Sequence, residues 1–164
     1  MPDALTPEFN STTKRPLKKP LLLAHCIAFI DASIADIKKQ MSELVTEAQN
    51  DSKSTAGDKH ETARAMMQLA QEQLGKQLQE AEIKRNSLTR IDASTRHKSV
   101  ADGSLVTTTD NLLFIATPLG KIQFNEKDVF VISAQSPLGK LLLGKSAGET
   151  VSFNQRNISI LDVA

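Results

Sequence analysis

Two long stretches of the chain repeat apolar residues at alternating intervals of three and four. The first stretch carries them at Leu23, Ile27, Ile30, Ile34, Ile37, Met41, Leu44 and Ala48. The second carries them at Ala63, Met67, Ala70, Leu74, Leu78, Ala81 and Leu88, with the polar residues Gln77 and Lys84 interrupting the series. This heptad spacing places each set of side chains on one side of a helix and predicts coiled-coil packing.

The two apolar series mirror each other about a polar segment near residues 51–58. Residues that would face each other, such as Leu44 with Met67 and Leu23 with Leu88, have numbers that add to the same total. This symmetry predicts an antiparallel helical hairpin over 20–92, with arms roughly 45 Å long at 1.5 Å per residue. Residues 1–19 are rich in Pro, Ser, Thr and basic side chains, which predicts a disordered leader.

Asp58 and Glu61 stand at the predicted start of the second arm. Their i, i+3 spacing puts both carboxylates on one face of the helix. Mg²⁺ takes one or two protein carboxylates and completes its shell with water and phosphate oxygens, so this pair can share such an ion. Acidic residues are also favoured in any first helical turn, and 55–58 fits a capping box. Spacing alone favours capping and leaves the metal role open.

Beyond the polar segment 92–98, where we place a domain boundary, the pattern changes to short β-like runs. These runs predict strands at 105–107, 112–115, 121–124, 129–132, 150–153 and 158–163. Ser136 and Pro137 are typical of a helix start, and Gly144 of a helix end, so a short helix is predicted over 138–143. Together these elements predict a small α+β domain over 99–164.

Composition narrows the functional classes. The chain has a net charge of +1 and no Trp or Tyr, which argues against a base-stacking surface or a dedicated nucleic-acid binder. Its single cysteine excludes an intramolecular disulfide and fits a reducing cytoplasm. No segment is expected to be long enough to span a membrane. The basic and apolar residues at 14–26 are not a signal sequence, because His25 and Asp31 interrupt the apolar run.

Two segments resemble one known family. Residues 136–151, Ser-Pro-Leu-Gly-Lys-Leu-Leu-Leu-Gly-Lys-Ser-Ala-Gly-Glu-Thr-Val, closely resemble the C-terminal domain of the bacterial Gre transcript cleavage factors. Residues 57–63, Gly-Asp-Lys-His-Glu-Thr-Ala, resemble the finger tip of the same family, with both acidic residues in register. The order of parts matches over roughly residues 22–163. The resemblance implies a coiled-coil finger followed by an FKBP-like domain.

The resemblance also implies a function. The C-terminal domain would dock on the rim of the RNA polymerase secondary channel, through Ser136, Pro137, Leu138, Gly139, Gly144 and Lys145. The finger would enter the channel, where Asp58 and Glu61 would help hold the second Mg²⁺ and its water while the polymerase hydrolyses a backtracked transcript. The chain would then be a cytoplasmic monomer away from the membrane. It would not be an enzyme, would have no cofactor of its own, and would contact nascent RNA only indirectly.

The tip departs from the family pattern. The family usually has Asn-Ala-Glu and an aromatic residue after the tip glutamate, where this chain has Thr62, Ala63, Arg64 and Ala65. Leu141 stands where a small residue is commoner. A regulator that occupies the channel without promoting cleavage is therefore an alternative. A prolyl isomerase and a purely structural coiled coil are further alternatives, the former disfavoured by the scarcity of aromatic residues.

Overall fold

A computed structural model describes residues 17–51 and 57–164 of the chain, and for 57–59 it describes the backbone alone. Most of the predicted leader therefore lies outside the described residues. The elements are α1 Lys19–Asp51, α2 Gly57–Thr89, β1 Leu105–Thr108, β2 Leu112–Ile115, β3 Gly120–Phe124, β4 Lys127–Ile132, α3 Pro137–Leu142, β5 Thr150–Phe153 and β6 Arg156–Val163. The predicted fold class, a long helical hairpin followed by a small α+β unit, is confirmed.

Helices α1 and α2 pack against each other along the predicted seam. The buried seam residues are Leu23, Ile30, Ile34 and Ile37 of α1 with Leu74, Ala81 and Leu88 of α2. Gln77 is exposed and the half-buried Leu78 takes its place against the core. Beside the seam, Arg85 donates from Nε to Asp31 Oδ1 at 2.5 Å and from Nη2 to Oδ2 at 3.4 Å. This ion pair joins the two arms in their lower half.

Burial decreases along the hairpin from its base to its tip. At the base, Leu22, Cys26 and Leu88 are wholly inaccessible to solvent. Towards the tip, the seam residues Met41 and Ala63 are only half-buried. The difference arises because the base also packs on the sheet, whereas the outer half has only the partner helix. Burial raises the pKa of the Cys26 thiol to about 11, so this side chain serves packing, as predicted.

Helix α1 corrects the expectation that no apolar segment is long enough to span a membrane. It contains an 18-residue stretch with a mean hydropathy of 1.6. By length and composition alone, such a stretch could cross a membrane. The expectation was wrong because apolar residues on its outer side, among them Leu21, Ala28 and Phe29, outweigh His25 and Asp31. Within the fold 33% of this stretch is buried. The core helix of a soluble protein can have the same length and mean hydropathy.

The six strands form one mixed sheet in the order β3-β4-β2-β1-β6-β5. Strands β2 and β4 are parallel, with Leu113 opposite Phe130, and every other neighbouring pair is antiparallel. Side chains alternate between the two faces of a strand. One face, which includes Phe114 and Val131, joins the core cluster of the hairpin base, and the other packs with Leu142 of α3.

The base of the hairpin is fixed to the sheet and to the connecting segment 92–98. The rings of His25 and Phe124 lie 5.1 Å apart, between α1 and β3. Lys19 is buried and donates from Nζ to the carbonyl oxygen of Thr95 at 2.5 Å. Its burial lowers the pKa of the ammonium, and the nearby carboxylate of Asp92 opposes that shift. Because one core cluster runs from the hairpin into the sheet, the domain boundary at 92–98 stays a prediction.

Candidate functional site

The tip carboxylates lie at the end of the hairpin that is remote from the sheet. Helix α2 begins at Gly57, so Asp58 is in its first turn and Glu61 opens the second. The backbone is helical at both positions, which are three residues apart. The side chain of Glu61 is exposed, whereas that of Asp58 lies outside the described residues. The capping box predicted over 55–58 also falls outside them.

Small seam residues leave a cleft between the arms next to the tip. Its volume is about 400 Å³ and its lining includes Val45, Ala48, Ala63 and Arg64. His60, in the first turn of α2, is half-buried against this cleft. Arg64 follows Glu61 at i, i+3, the spacing of neighbouring positions on a helix surface, and also lines this cleft. The tip therefore presents a cation beside its acidic residues.

The donor set at the tip suits a shared cation better than a resident one. Mg²⁺ takes a near-octahedral shell of oxygen ligands, of which two carboxylates supply only a part. Where the side chains are described, no three His, Cys, Asp or Glu residues come together as metal ligands. Asp58 and Glu61 have the right chemistry to complete an ion that another molecule already holds.

The C-terminal segment that resembles the Gre family begins with a helix cap. Ser136 accepts a hydrogen bond at Oγ from the amide of Gly139 at 3.0 Å and donates one to the Ser133 carbonyl at 2.7 Å. Pro137 follows as the first residue of α3, where a missing amide hydrogen costs nothing. The predicted cap is thereby confirmed, and it explains why serine and proline stand here.

Gly139 is required by close packing rather than by its backbone angles. It is buried, and a Cβ at this position would lie 2.1 Å from the carbonyl oxygen of Ser133. No heavy-atom contact of that length is tolerated, so any side chain would force α3 away from the preceding turn. Ser136 and Gly139 thus build α3, whatever else they contact.

The turn after α3 is organised by Gly144 and Glu149. Gly144 has a φ of +77° and donates from its amide to the Val100 carbonyl at 2.8 Å. Glu149 accepts at Oε2 from the Ser146 amide at 2.6 Å, and its Oε1 lies 3.4 Å from Lys145 Nζ. The Ser146 hydrogen bond is the main reason that the pKa of Glu149 is held below its usual 4.5, with Lys145 contributing in the same direction.

We expect Glu149→Gln to destabilise the fold at neutral pH but not in acid. A carboxyl whose folded-state pKa is depressed contributes stability above its unfolded-state pKa and loses it as pH falls through the folded-state value. The wild type should therefore unfold at higher urea than the variant at about pH 7, and the gap should close below about pH 4. Glu80→Gln, at an exposed site on α2, is the matched control. An equal difference in urea midpoint between wild type and variant at both pH values would contradict this role of the Glu149 carboxylate.

The predicted partner-binding residues divide into two groups. Ser136, Leu138 and Gly139 face inward or form the cap, and the half-buried Lys145 pairs with Glu149, whereas Pro137 and Gly144 are exposed. Sequence reasoning did not select Leu141 and Leu143 for this surface, although they are 42% and 38% exposed beside these residues. The available signal was the run of three leucines at 141–143. A helix of six residues buries only one of them, Leu142.

Comparison with known proteins gives weak similarities only. No protein-family model matches the chain, and no curated protein matches it. A solved structure of the transcription factor Gfh1 shares 15% identity with a TM-score of 0.33, covering 84% of this chain and 92% of that one. Thermus aquaticus Gfh1 shares 17% identity with a TM-score of 0.32, covering 83% and 92%. At these values the similarity does not assign the chain to a family.

Proposed function

We propose that this protein binds RNA polymerase, inserts the hairpin tip into the secondary channel and stimulates cleavage of backtracked transcripts. The observation that carries the proposal is the position of Asp58 and Glu61 at the far end of a hairpin whose helices have 33 residues each. Helices of this length extend about 50 Å, so the carboxylates can act at a distance from the sheet. The sequence resemblance at residues 57–63 and 136–151 supports the same function.

The tip would act by lending oxygen ligands. Mg²⁺ bound in the polymerase active site activates water and stabilises the charge of the leaving oxygen. The exposed carboxylate of Glu61 and that of Asp58 would complete the coordination of this ion and orient its water. Since the ion and the substrate both belong to the polymerase, the chain supplies ligands and positioning and is not itself an enzyme.

Docking would use the outer surface of α3 and the turn that follows it. Pro137, Leu141, Leu143 and Gly144 are exposed there and form an apolar surface. Exposed apolar residues that adjoin one another mark interaction surfaces more often than single ones do. Lys145, next to this surface, pairs with Glu149 at 3.4 Å and would have to exchange this carboxylate for one of the partner.

Transcript cleavage in a stalled complex tests the function directly. A cognate RNA polymerase is stalled in a backtracked state with end-labelled RNA and Mg²⁺, and the protein is added. Shortened transcripts are expected, and polymerase binding is measured separately by competition with a known channel binder. Binding without cleavage would overturn the cleavage role, and absence of both cleavage and binding would overturn the polymerase partner as well.

A non-cleaving channel regulator is the second candidate, and Arg64 is the observation that favours it. A cation one helical turn from Glu61 reduces the attraction of the tip for Mg²⁺, because like charges repel at this distance. This candidate predicts polymerase binding and altered transcript yields without shortened RNA. If it is right, Arg64→Glu should confer cleavage, whereas Arg90→Glu at the base of the hairpin should not.

A further inference from the structure

A wide cleft lies between the hairpin base and the sheet, far from the tip. Its volume is about 1300 Å³. The start of α1 and residues 93–96 form one wall, and the turns 108–111 and 125–128 form the other. Leu105 and Leu112 contribute apolar surface to its lining. The proposed function uses none of these residues.

The chain enters this cleft at Leu17. Leu17 is the first described residue, is half-buried, packs against the core cluster and lines the cleft. Sixteen residues precede Leu17, and fully extended they would span about 50 Å. The length of chain outside the described structure is therefore ample to follow the cleft.

The acidic residues of the cleft are complementary in charge to the basic residues just before Leu17. The cleft lining includes the exposed carboxylates of Asp110, Glu126 and Asp162. Of the cations that line it, Lys19 is occupied by the Thr95 carbonyl, which leaves Arg96 and Lys127. The preceding segment carries the basic pair Lys14 and Arg15 close to the point of entry, and Leu5 and Phe9 farther out.

We propose that the N-terminal segment 1–16 binds in this cleft as a tethered ligand of its own chain. Lys14 and Arg15 lie against the acidic residues Asp110 and Asp162, and Phe9 covers the apolar surface at Leu112. Attachment at Leu17 gives the segment an effective concentration in the millimolar range, so that modest contacts suffice for occupancy. The segment thereby occupies a surface that is otherwise open to a basic, partly apolar peptide of another protein.

A single tryptophan reports this binding, because the chain contains no Trp or Tyr. Phe9→Trp is introduced into the full chain, and acrylamide quenching of its fluorescence is compared with that of a free peptide 1–16 with the same substitution. At millimolar effective concentration and an affinity of the same order, quenching in the chain should be about twofold weaker than in the peptide. It should not depend on protein concentration.

Charge reversal locates the binding site. Either Lys14→Glu with Arg15→Glu, or Asp110→Lys with Asp162→Lys, should raise quenching to the level of the free peptide, and all four changes together should lower it again. Asp36→Lys, at an exposed acid on α1 outside the cleft, is the control and should change nothing.

Three results would overturn the proposal. Quenching equal to that of the free peptide in the parent chain would show that the segment is not bound. Protection that survives both charge reversals would place the segment on another surface, such as the exposed side of α1 at Leu21 and Phe29. Protection that appears only at high protein concentration would identify a second copy as the occupant.

Discussion

Replacing both Asp58 and Glu61 with alanine should reduce stimulated transcript cleavage about 100-fold or more, since even outer-shell partners of catalytic metals cost 10–100-fold when removed. Polymerase binding should stay within about twofold, because the proposed docking surface at α3 is far from the tip and alanine preserves the helix. The measurement is the rate of RNA shortening in a stalled complex, together with binding by competition. The two readouts separate loss of metal ligands from loss of docking.

Glu72→Ala is the matched control for the tip variant. Glu72 is an exposed carboxylate on the same face of α2, about three turns and roughly 16 Å along the helix axis from Glu61, so it is too far from the tip to share the metal. Its replacement should leave cleavage unchanged. Normal cleavage by the double tip variant would show that the tip carboxylates are not metal ligands. Loss of binding in that variant would instead assign them to docking.

Gly139→Ala should lower the free energy of unfolding by about 3 kcal/mol, at the upper end of the cost of overpacking a close-packed site. The added Cβ would meet the Ser133 carbonyl oxygen at 2.1 Å and the carbonyl carbon of Ala134 at 3.0 Å. Both are backbone atoms, so no side-chain rotation relieves the contact, and α3 must shift from the turn that precedes it. Thermal unfolding monitored by circular dichroism measures the effect, about 6–12 °C in midpoint at this chain length.

Gly75→Ala tests the same substitution where there is space. Gly75 lies inside α2, and a Cβ there would have nothing within 4 Å. Alanine is the better helix former by about 1 kcal/mol, so this variant should be slightly more stable than the wild type. A destabilised Gly75→Ala, or a Gly139→Ala that unfolds at the wild-type temperature, would contradict the packing account.

The helical part of the fold was predictable because its contacts follow from a local repeat. The spacing from Leu23 to Ala48 fixes which side of α1 faces α2 without any knowledge of the sheet. The cap at Ser136 was equally accessible, since it depends on residues three apart. The order of the strands was not, because the insertion of β4 between β3 and β2 depends on contacts between residues far apart in sequence. The same is true of the buried Lys19, whose partner Thr95 is 76 residues away.

In the candidate site, too, the features set by local sequence were predictable and those set by distant contacts were not. Asp58 and Glu61 were selected from spacing and resemblance, and the structure places both positions near the start of α2. Their role as metal ligands stays a prediction. The segment 136–151 was recognised as a unit, but its sequence did not distinguish residues that build α3 from those that remain outside it. Gly139 is buried and Leu143 is exposed only because of where the Ser133 carbonyl and the sheet lie.

The position of β6 constrains how the chain folds as it is synthesised. This strand ends at Val163, yet it lies inside the sheet between β1 and β5. Strand β1 therefore lacks one of its two neighbours until residue 163 has emerged from the ribosome. The hairpin lies wholly before the sheet in sequence, so it emerges from the ribosome earlier and can assemble first. During that interval the nascent chain presents a formed finger and an incomplete sheet, with the unpaired side of β1 exposed to chaperones.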